Sequence, residues 1–406
     1  MARRPWQIVA ASSGALAISV GFGRFSYGLL LPAMERSNLG SFGRAGWIGT
    51  FNLGGYLAGV VVVVALVRRV RPTVLLRAGL AGTTVGLAAM AVAPSFPFLA
   101  VAMAVMGLAS AGVWIPVTGV VATSVLPARR GVAMGFTVAG AGVGMVIADA
   151  IATLIGHRFG ATSWRAAWAV QATLGLIVLI AASVAIPGHP APRVEARTGL
   201  GSLRSLPDRG AVLVTYGAYG VGYVIYTTYL VAGLERSGGL SPGTAGGVFA
   251  LLGAGSTFGG VIIGRISDRL GRRTTLLAGQ LCLAGCALAL PTASLWVAFS
   301  SAVAFGVLMN GVGATIVAHL CDAVEASRVP AVFGVMTLAF GAAQCAGPPF
   351  GGFLVDATGG FRSVFVASAG AFVLAGLGAW RLRRGPRAES RAAVAIGAAI
   401  DVQREV

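Results

Sequence analysis

The stretch AGWIGTFNLGGYLAGVVVVVALV, residues 45–67, runs for 23 residues without a charge. At 1.5 Å per residue a helix of that length crosses the roughly 30 Å hydrocarbon layer of a bilayer. It is too long for a buried strand and too uniformly apolar for an ordinary core helix. Residues 212–234 and 294–318 show the same uncharged pattern. With 56% apolar and only 10% charged residues in 406, and a mean hydropathy of +0.85, the whole chain lacks the composition of a soluble surface.

Working outward, apolar runs between breakers give twelve approximate spans: 7–34, 45–67, 73–93, 97–122, 131–155, 165–186, 210–234, 243–264, 274–291, 293–318, 330–354 and 362–381. The expected fold is therefore an all-α membrane protein of twelve transmembrane helices. The opening Met1–Arg4 followed by an apolar stretch mimics a signal peptide, but that stretch runs on to Met34, so it reads as an uncleaved first helix.

The net charge of +18 would suggest nucleic-acid binding in a soluble chain, yet the distribution of charge points elsewhere. All 30 basic residues are Arg, clustered in short segments between spans. If the N-terminus is cytoplasmic, inside segments with the helix ends they border hold 23 Arg and outside ones 6, with Arg24 left deep within a span. That asymmetry predicts both termini inside and a multi-pass protein of the bacterial cytoplasmic membrane, with the lipid bilayer and no nucleic acid among its partners. Without Lys there is no Walker A loop and no nucleotide-driven motor of that kind. Cys282, Cys286, Cys321 and Cys345 lie in or beside apolar spans with no metal-ligand spacing, so neither metal nor other cofactor is expected.

Residues 187–209, PGHPAPRVEARTGLGSLRSLPDR, are rich in Pro, Gly and Arg and read as a cytoplasmic linker. They divide an N-terminal six-helix half, 1–186, from a C-terminal one, 210–381, with an Arg- and Ala-rich cytoplasmic tail at 382–406. The halves repeat each other at a shift near 200. MERS (34–37) meets LERS (234–237), GFGRFSY (21–27) meets GVGYVIY (220–226), and Trp164-Arg165 with Trp168 meets Phe361-Arg362 with Phe365. A parallel six-plus-six repeat predicts two pseudo-symmetric halves around a two-fold axis along the membrane normal.

The loop GRISDRLGRR, residues 264–273, resembles the major facilitator signature G-x-x-x-D-R-x-G-R-R at every key position: Gly264, Asp268, Arg269, Gly271, Arg272 and Arg273. The resemblance implies a gating loop in which Asp268 pairs with helix ends and arginines. The first-half counterpart, residues 67–71, has Arg68 where Asp268 sits, which makes such a lock one-sided. GFGRFSYGLLLPAM (21–34), GWIGTFNLGGYLAG (46–59) and YGAYGVGYVIYTTYL (216–230) resemble the YbfB/YjiJ-type branch of that superfamily over most of the chain. A partial likeness to monocarboxylate transporters is carried by residues 128–144 and 347–361. The fifth span lacks the Pro of drug antiporters, and the eighth lacks the buried Arg of monocarboxylate carriers. The resemblance implies a monomeric secondary transporter, not an enzyme, moving a small solute by alternating access.

Arg24 is the one ionisable side chain deep inside a span. A charge there costs roughly 2.5–3.5 kcal/mol on insertion scales and must face the interior with a partner. It points to a small organic anion as substrate; proton-linked drug or metabolite efflux is the same-class alternative, and a membrane-embedded enzyme or non-transporting sensor the remote one. Tyr27, Asn52, Tyr56, Trp114, Tyr219, Tyr223, Asn310 and Gln344 complete the candidate substrate site, although some of these would serve only as interhelical hydrogen bonds. At a shift of 199, Arg24 and Tyr223 are expected on opposite walls of one cavity. Asp149, toward the outer end of the fifth span, is either an interfacial carboxylate or the group that couples transport to protons. His319 is expected in a surface contact near Asp322 and Glu325. GLSPG (239–243) matches G-x-S-x-G without a preceding strand, and reads as a helix start capped by Ser241 with Pro242 at its first position. GAGVG (140–144) suits close helix packing and a gating bend.

Overall fold

In the computed structural model the described residues are 5–67, 69–126, 129–159, 163–186, 188, 206, 208–292, 294–324 and 328–383. The body of the linker, the tail beyond Arg383, Arg68 and Glu325 lie outside them. Twelve long helices are present among the described residues: α1 (Pro5–Leu39), α2 (Phe42–Leu66), α3 (Pro72–Val92), α4 (Phe96–Ser124), α5 (Arg130–Phe159) and α6 (Ser163–Ala185), then α7 (Arg209–Arg236), α8 (Pro242–Leu270), α9 (Arg272–Ala289), α10 (Leu295–Ala323), α11 (Val329–Thr358) and α12 (Arg362–Trp380).

The ends of these helices follow local chemistry. Ser41 Oγ accepts from Arg44 N at 3.2 Å, capping α2, and Pro72 opens α3 where no N–H is needed. Ser241 Oγ accepts from Thr244 N at 3.2 Å with Pro242 at the first position of α8, as the sequence predicts. Gly40, Gly271 and Gly359 take φ of +72°, +87° and +70° and end α1, α8 and α11. Two arginines cap each other's helices. Arg165 of α6 donates to Ala91 O and Ala93 O at the end of α3, and Arg77 of α3 donates to Ser183 O and Ile186 O at the end of α6.

Ten of the twelve helices are long and apolar enough to span by composition alone. The exceptions are α7 and α9. Helix α7 carries five tyrosines, and it can do so because every residue from Gly222 to Leu234 is buried by other helices and meets no lipid. Helix α9 is short, 18 residues, and begins with Arg272 and Arg273. Outward-facing Trp47, Val85, Leu154, Phe258 and Trp296 are exposed apolar side chains, the composition that a hydrocarbon boundary demands.

The halves meet along three seams: α1 with α7, α2 with α11, and α5 with α8. Close approach sets the choice of glycine in them. A Cβ at Gly28 would stand 2.5 Å from Thr227 O, so α1 and α7 touch backbone to backbone. The GAGVG segment packs closely: a Cβ at Gly21 would stand 2.7 Å from Gly144 Cα, and Gly142 faces Gly253 across the seam. We call the end where α1 begins and α12 finishes basal, and the opposite end distal.

Candidate functional site

Helix α1 is irregular where it matters. From Ala17 to Phe25 its backbone has π geometry, with hydrogen bonds one residue wider than the α form. Arg24 lies in the last turn of this stretch, aimed at the other half. Its Nη2 donates to Tyr223 Oη at 2.8 Å and to Gln344 Oε1, and its guanidinium carbon lies 5.7 Å from the centre of the Tyr56 ring. One cation is thereby held by α2, α7 and α11 together, two of those helices from the opposite half. The two-fold pairing of Arg24 with Tyr223 is correct, but the expected placement on opposite walls is not. They are in direct contact, because α1 and α7 approach at glycine distance. The partners are a phenol, an amide and an aromatic face; among the described residues no carboxylate meets Arg24.

Beside Arg24 a cavity is lined by Tyr27, Asn52, Thr227 and Thr228, with Leu53, Met103, Val224 and Pro348 as its apolar wall. Tyr27 donates to Ala45 O at 2.6 Å, and Asn52 Nδ2 donates to Gly23 O at 3.0 Å and Met103 O at 3.2 Å. Both reach the cavity but spend their donors on the helix framework. Tyr219, whose hydroxyl donates to Met309 O, stacks with Tyr223, ring centres 5.4 Å apart; Tyr216 stacks on Phe340 at 4.1 Å. These rings form the rigid aromatic backing of Tyr223. Two candidates stand apart from Arg24: Asn310 Nδ2 ties α10 to Ser256 O of α8 at 2.8 Å, and Trp114 packs part-buried against the core. Thr227, Thr228 and Met103 were missed by sequence reasoning. Hydroxyls and thioethers are common in apolar spans, and only the contact of α1 with α7 singles these out.

A model of the family described as "Uncharacterised MFS-type transporter YbfB" matches residues 16–379. The chain belongs to this branch of the major facilitator superfamily. Among relatives, "Uncharacterized MFS-type transporter YceJ" of Bacillus subtilis (strain 168) is 26% identical over 365 residues, 87% of this chain and 91% of that protein. "Chloramphenicol resistance protein" of Streptomyces lividans is 30% identical over 351 residues, covering 81% and 84%. The fold is shared with a bacterial homologue of the human lysosomal transporter Spinster, solved inward-facing and unoccupied, at a TM-score of 0.77 with 15% identity over 93% of this chain and 96% of that one.

The major facilitator loop forms an ion cluster with its hub one turn away from the expected place. Arg272, not Asp268, is the centre. It meets Asp268 Oδ1 at 2.6 Å, Asp322 Oδ2 at 3.1 Å and Ser267 Oγ at 3.0 Å, which joins α8, α9 and α10 within one half. The physical reason is reach: a guanidinium has five donors in a fork, whereas exposed Asp268 has one carboxylate. His319 likewise departs from expectation. It is 6% exposed and faces Asp208 at 3.2 Å, at the start of α7. Asp208 Oδ2 also accepts from Arg383 N, so one carboxylate fastens the basal ends of α7, α10 and α12.

At the distal end the repeated E-R pair becomes a reciprocal contact between halves. Arg36 meets Glu235 at 3.0 Å and Arg236 meets Glu35 at 2.7 Å. Close by, the Asp356 carboxylate of α11 accepts from Phe42 N and Gly43 N at 3.1 and 2.8 Å, at the positive end of α2. Asp149 sits in the α5–α8 seam against Gly246, its Oδ1 buried and without a hydrogen bond.

Proposed function

We propose that this transporter carries a small organic anion across the bacterial inner membrane by alternating access, with Arg24 as the anion-binding group. The observation that carries the reading is the state of Arg24: a cation at mid-bundle, bonded across the halves to Tyr223 and Gln344, with no carboxylate to balance it among the described residues. A lone charge of that kind is retained for a ligand of opposite sign. The cavity beside it, walled by Thr228, Leu53, Met103 and Val224, is small in this conformation and would widen as the halves rock to admit an anion.

Rocking of one half against the other exposes this site alternately, and the distal ion pairs of α1 and α7 are contacts such a motion would break. The Arg272 cluster, with Gly264, Asp268, Arg269, Gly271 and Arg273, would hold the basal loop in shape through the cycle. The arginine asymmetry supports both termini inside. Protons are the proposed coupling ion through Asp149, and a carrier of this kind works as a monomer with no catalytic chemistry. The test is a thermal-shift screen of purified protein with metabolite anions, because a ligand that binds only the folded state raises its apparent stability. Stabilisation by anions in wild type and not in Arg24→Gln is the expected result.

Efflux of a neutral or cationic drug is the second reading, favoured by the relative named for chloramphenicol resistance. It predicts stabilisation by uncharged lipophilic compounds and indifference to Arg24→Gln.

A further inference from the structure

Gln344 is an unusual partner for a membrane-embedded cation. It lies on α11, 320 residues from Arg24 and in the other half, and is 1% exposed. Its Oε1 accepts from Arg24 Nη2, and its side chain also lies against the hydroxyl of Tyr223, which the same guanidinium nitrogen meets. Its carbonyl end is thus committed to the guanidinium. A carbonyl oxygen gives a guanidinium a charge-assisted bond but supplies no countercharge, so a carboxylate or similar anion at the same place would be the stronger acceptor. Arg24 itself shares the wall of the small cavity with Tyr27, Asn52 and Thr227.

We infer that Gln344 is the resident acceptor of the empty carrier: it occupies the place on Arg24 that the substrate's anionic group takes, and the arriving anion displaces Gln344 Oε1. This rests on the reading of Arg24 as the anion site and assigns Gln344 a role within it. The consequence concerns the cycle. Because Arg24 belongs to α1 and Gln344 to α11, their bond ties the halves when no substrate is present, which permits the unloaded carrier to close and return. Substituting a true carboxylate should make the tie permanent, and removing the acceptor should loosen the empty carrier while leaving the anion site open.

The experiment has two arms on full-length protein with its native cysteines replaced. In the ligand-free arm, spin labels at Ser95→Cys and Gly243→Cys, at the distal ends of opposite halves, report the distal-closed fraction by pulsed electron-spin distance measurement. Gln344→Glu is expected to raise the closed-to-open ratio about tenfold and to raise the melting temperature, and Gln344→Met to lower the ratio severalfold. In the second arm acetate, benzoate, succinate and phosphate serve as probes in a thermal-shift assay. Any probe that stabilises wild type should still stabilise Gln344→Met and should lose its effect in Gln344→Glu. Unchanged distance distributions in both variants, or a Gln344→Glu protein that responds to anions as wild type does, would overturn the inference. If no probe stabilises wild type, the anion reading of Arg24 is what suffers, and the ligand-free arm still decides whether Gln344 ties the halves. A Gln344→Glu chain that fails to fold leaves Gln344→Met to decide the matter.

Discussion

Reversing one charge at the distal end, Glu35→Arg, removes the 2.7 Å pair with Arg236 and places a new cation beside both Arg236 and Arg36. Solvent-accessible ion pairs are worth about 0.2–1 kcal/mol each. These fall in that class, because both guanidinium side chains are 44% exposed although their carboxylates are shielded to 14% and 9%. Loss of one pair together with new like-charge repulsion therefore costs the distal-closed state about 1–2 kcal/mol. At about 1.4 kcal/mol per factor of ten, the closed-to-open ratio should fall about 5- to 30-fold. Labels at Ser95→Cys and Gly243→Cys would read this directly: Ser95 is exposed and caps no N–H, and a side chain at Gly243 would meet nothing within 4 Å. Adding Arg236→Glu to Glu35→Arg rebuilds the pair with its sense inverted, and should restore most of the closed population, which separates a specific contact from a change in net charge. The effect should shrink as salt is raised. An unchanged distribution in Glu35→Arg, or a double variant no better than the single one, would show that these pairs do not hold the distal end closed.

Arg24→Lys should lose most anion-dependent thermal stabilisation while keeping the charge, since one ammonium cannot hold Tyr223, Gln344 and a ligand in a planar fork; Tyr223→Phe should cost only about 0.5–1.5 kcal/mol for its single neutral hydroxyl. In the basal loop Arg272→Ala should impair transport more than Asp268→Asn in a proteoliposome assay, because only the arginine reaches both Asp268 and Asp322. Gly28→Leu should lower the yield of folded protein in size-exclusion profiles, by overpacking the α1–α7 seam at a cost of about 1–3 kcal/mol. A topology reporter fused after Arg387 should be cytoplasmic and one inserted at Gly239 periplasmic; an opposite location for the C-terminal fusion would contradict the arginine asymmetry.

The spans were legible because a bilayer imposes a length and a polarity on every helix that crosses it, and ten of the twelve carry both. Helix α7 is instructive: its mean hydropathy is low for a span, yet its uncharged run from Val212 to Leu234 was enough to mark it. Arg24 was legible for the converse reason, a charge where hydrocarbon forbids one. What lay beyond the sequence was pairing. Nothing local distinguishes Asn52, which binds the carbonyls of Gly23 and Met103, from Gln344, which binds Arg24. Both are amides in apolar spans, and their roles depend on helices tens or hundreds of residues away. His319 gives the same lesson, since its partner Asp208 is 111 residues distant.

The repeat explains where symmetry is kept and where it is broken. At the distal end each half offers Glu followed by Arg, and the two-fold axis turns that into two reciprocal pairs, Arg36 with Glu235 and Arg236 with Glu35; a difference in one half alone would leave a charge unpaired at the seam. At mid-bundle the same shift of 199 relates Arg24 to Tyr223, and identity there would be self-defeating. Two arginines at contact distance would repel each other in a low-dielectric interior, and two tyrosines would hold no charge at all. One arginine and one phenol give a single cation with a neutral neighbour able to accept its hydrogen bond. The chain thus keeps its internal symmetry at the distal ends of α1 and α7, and abandons it at Arg24, where a single cation stands between the halves.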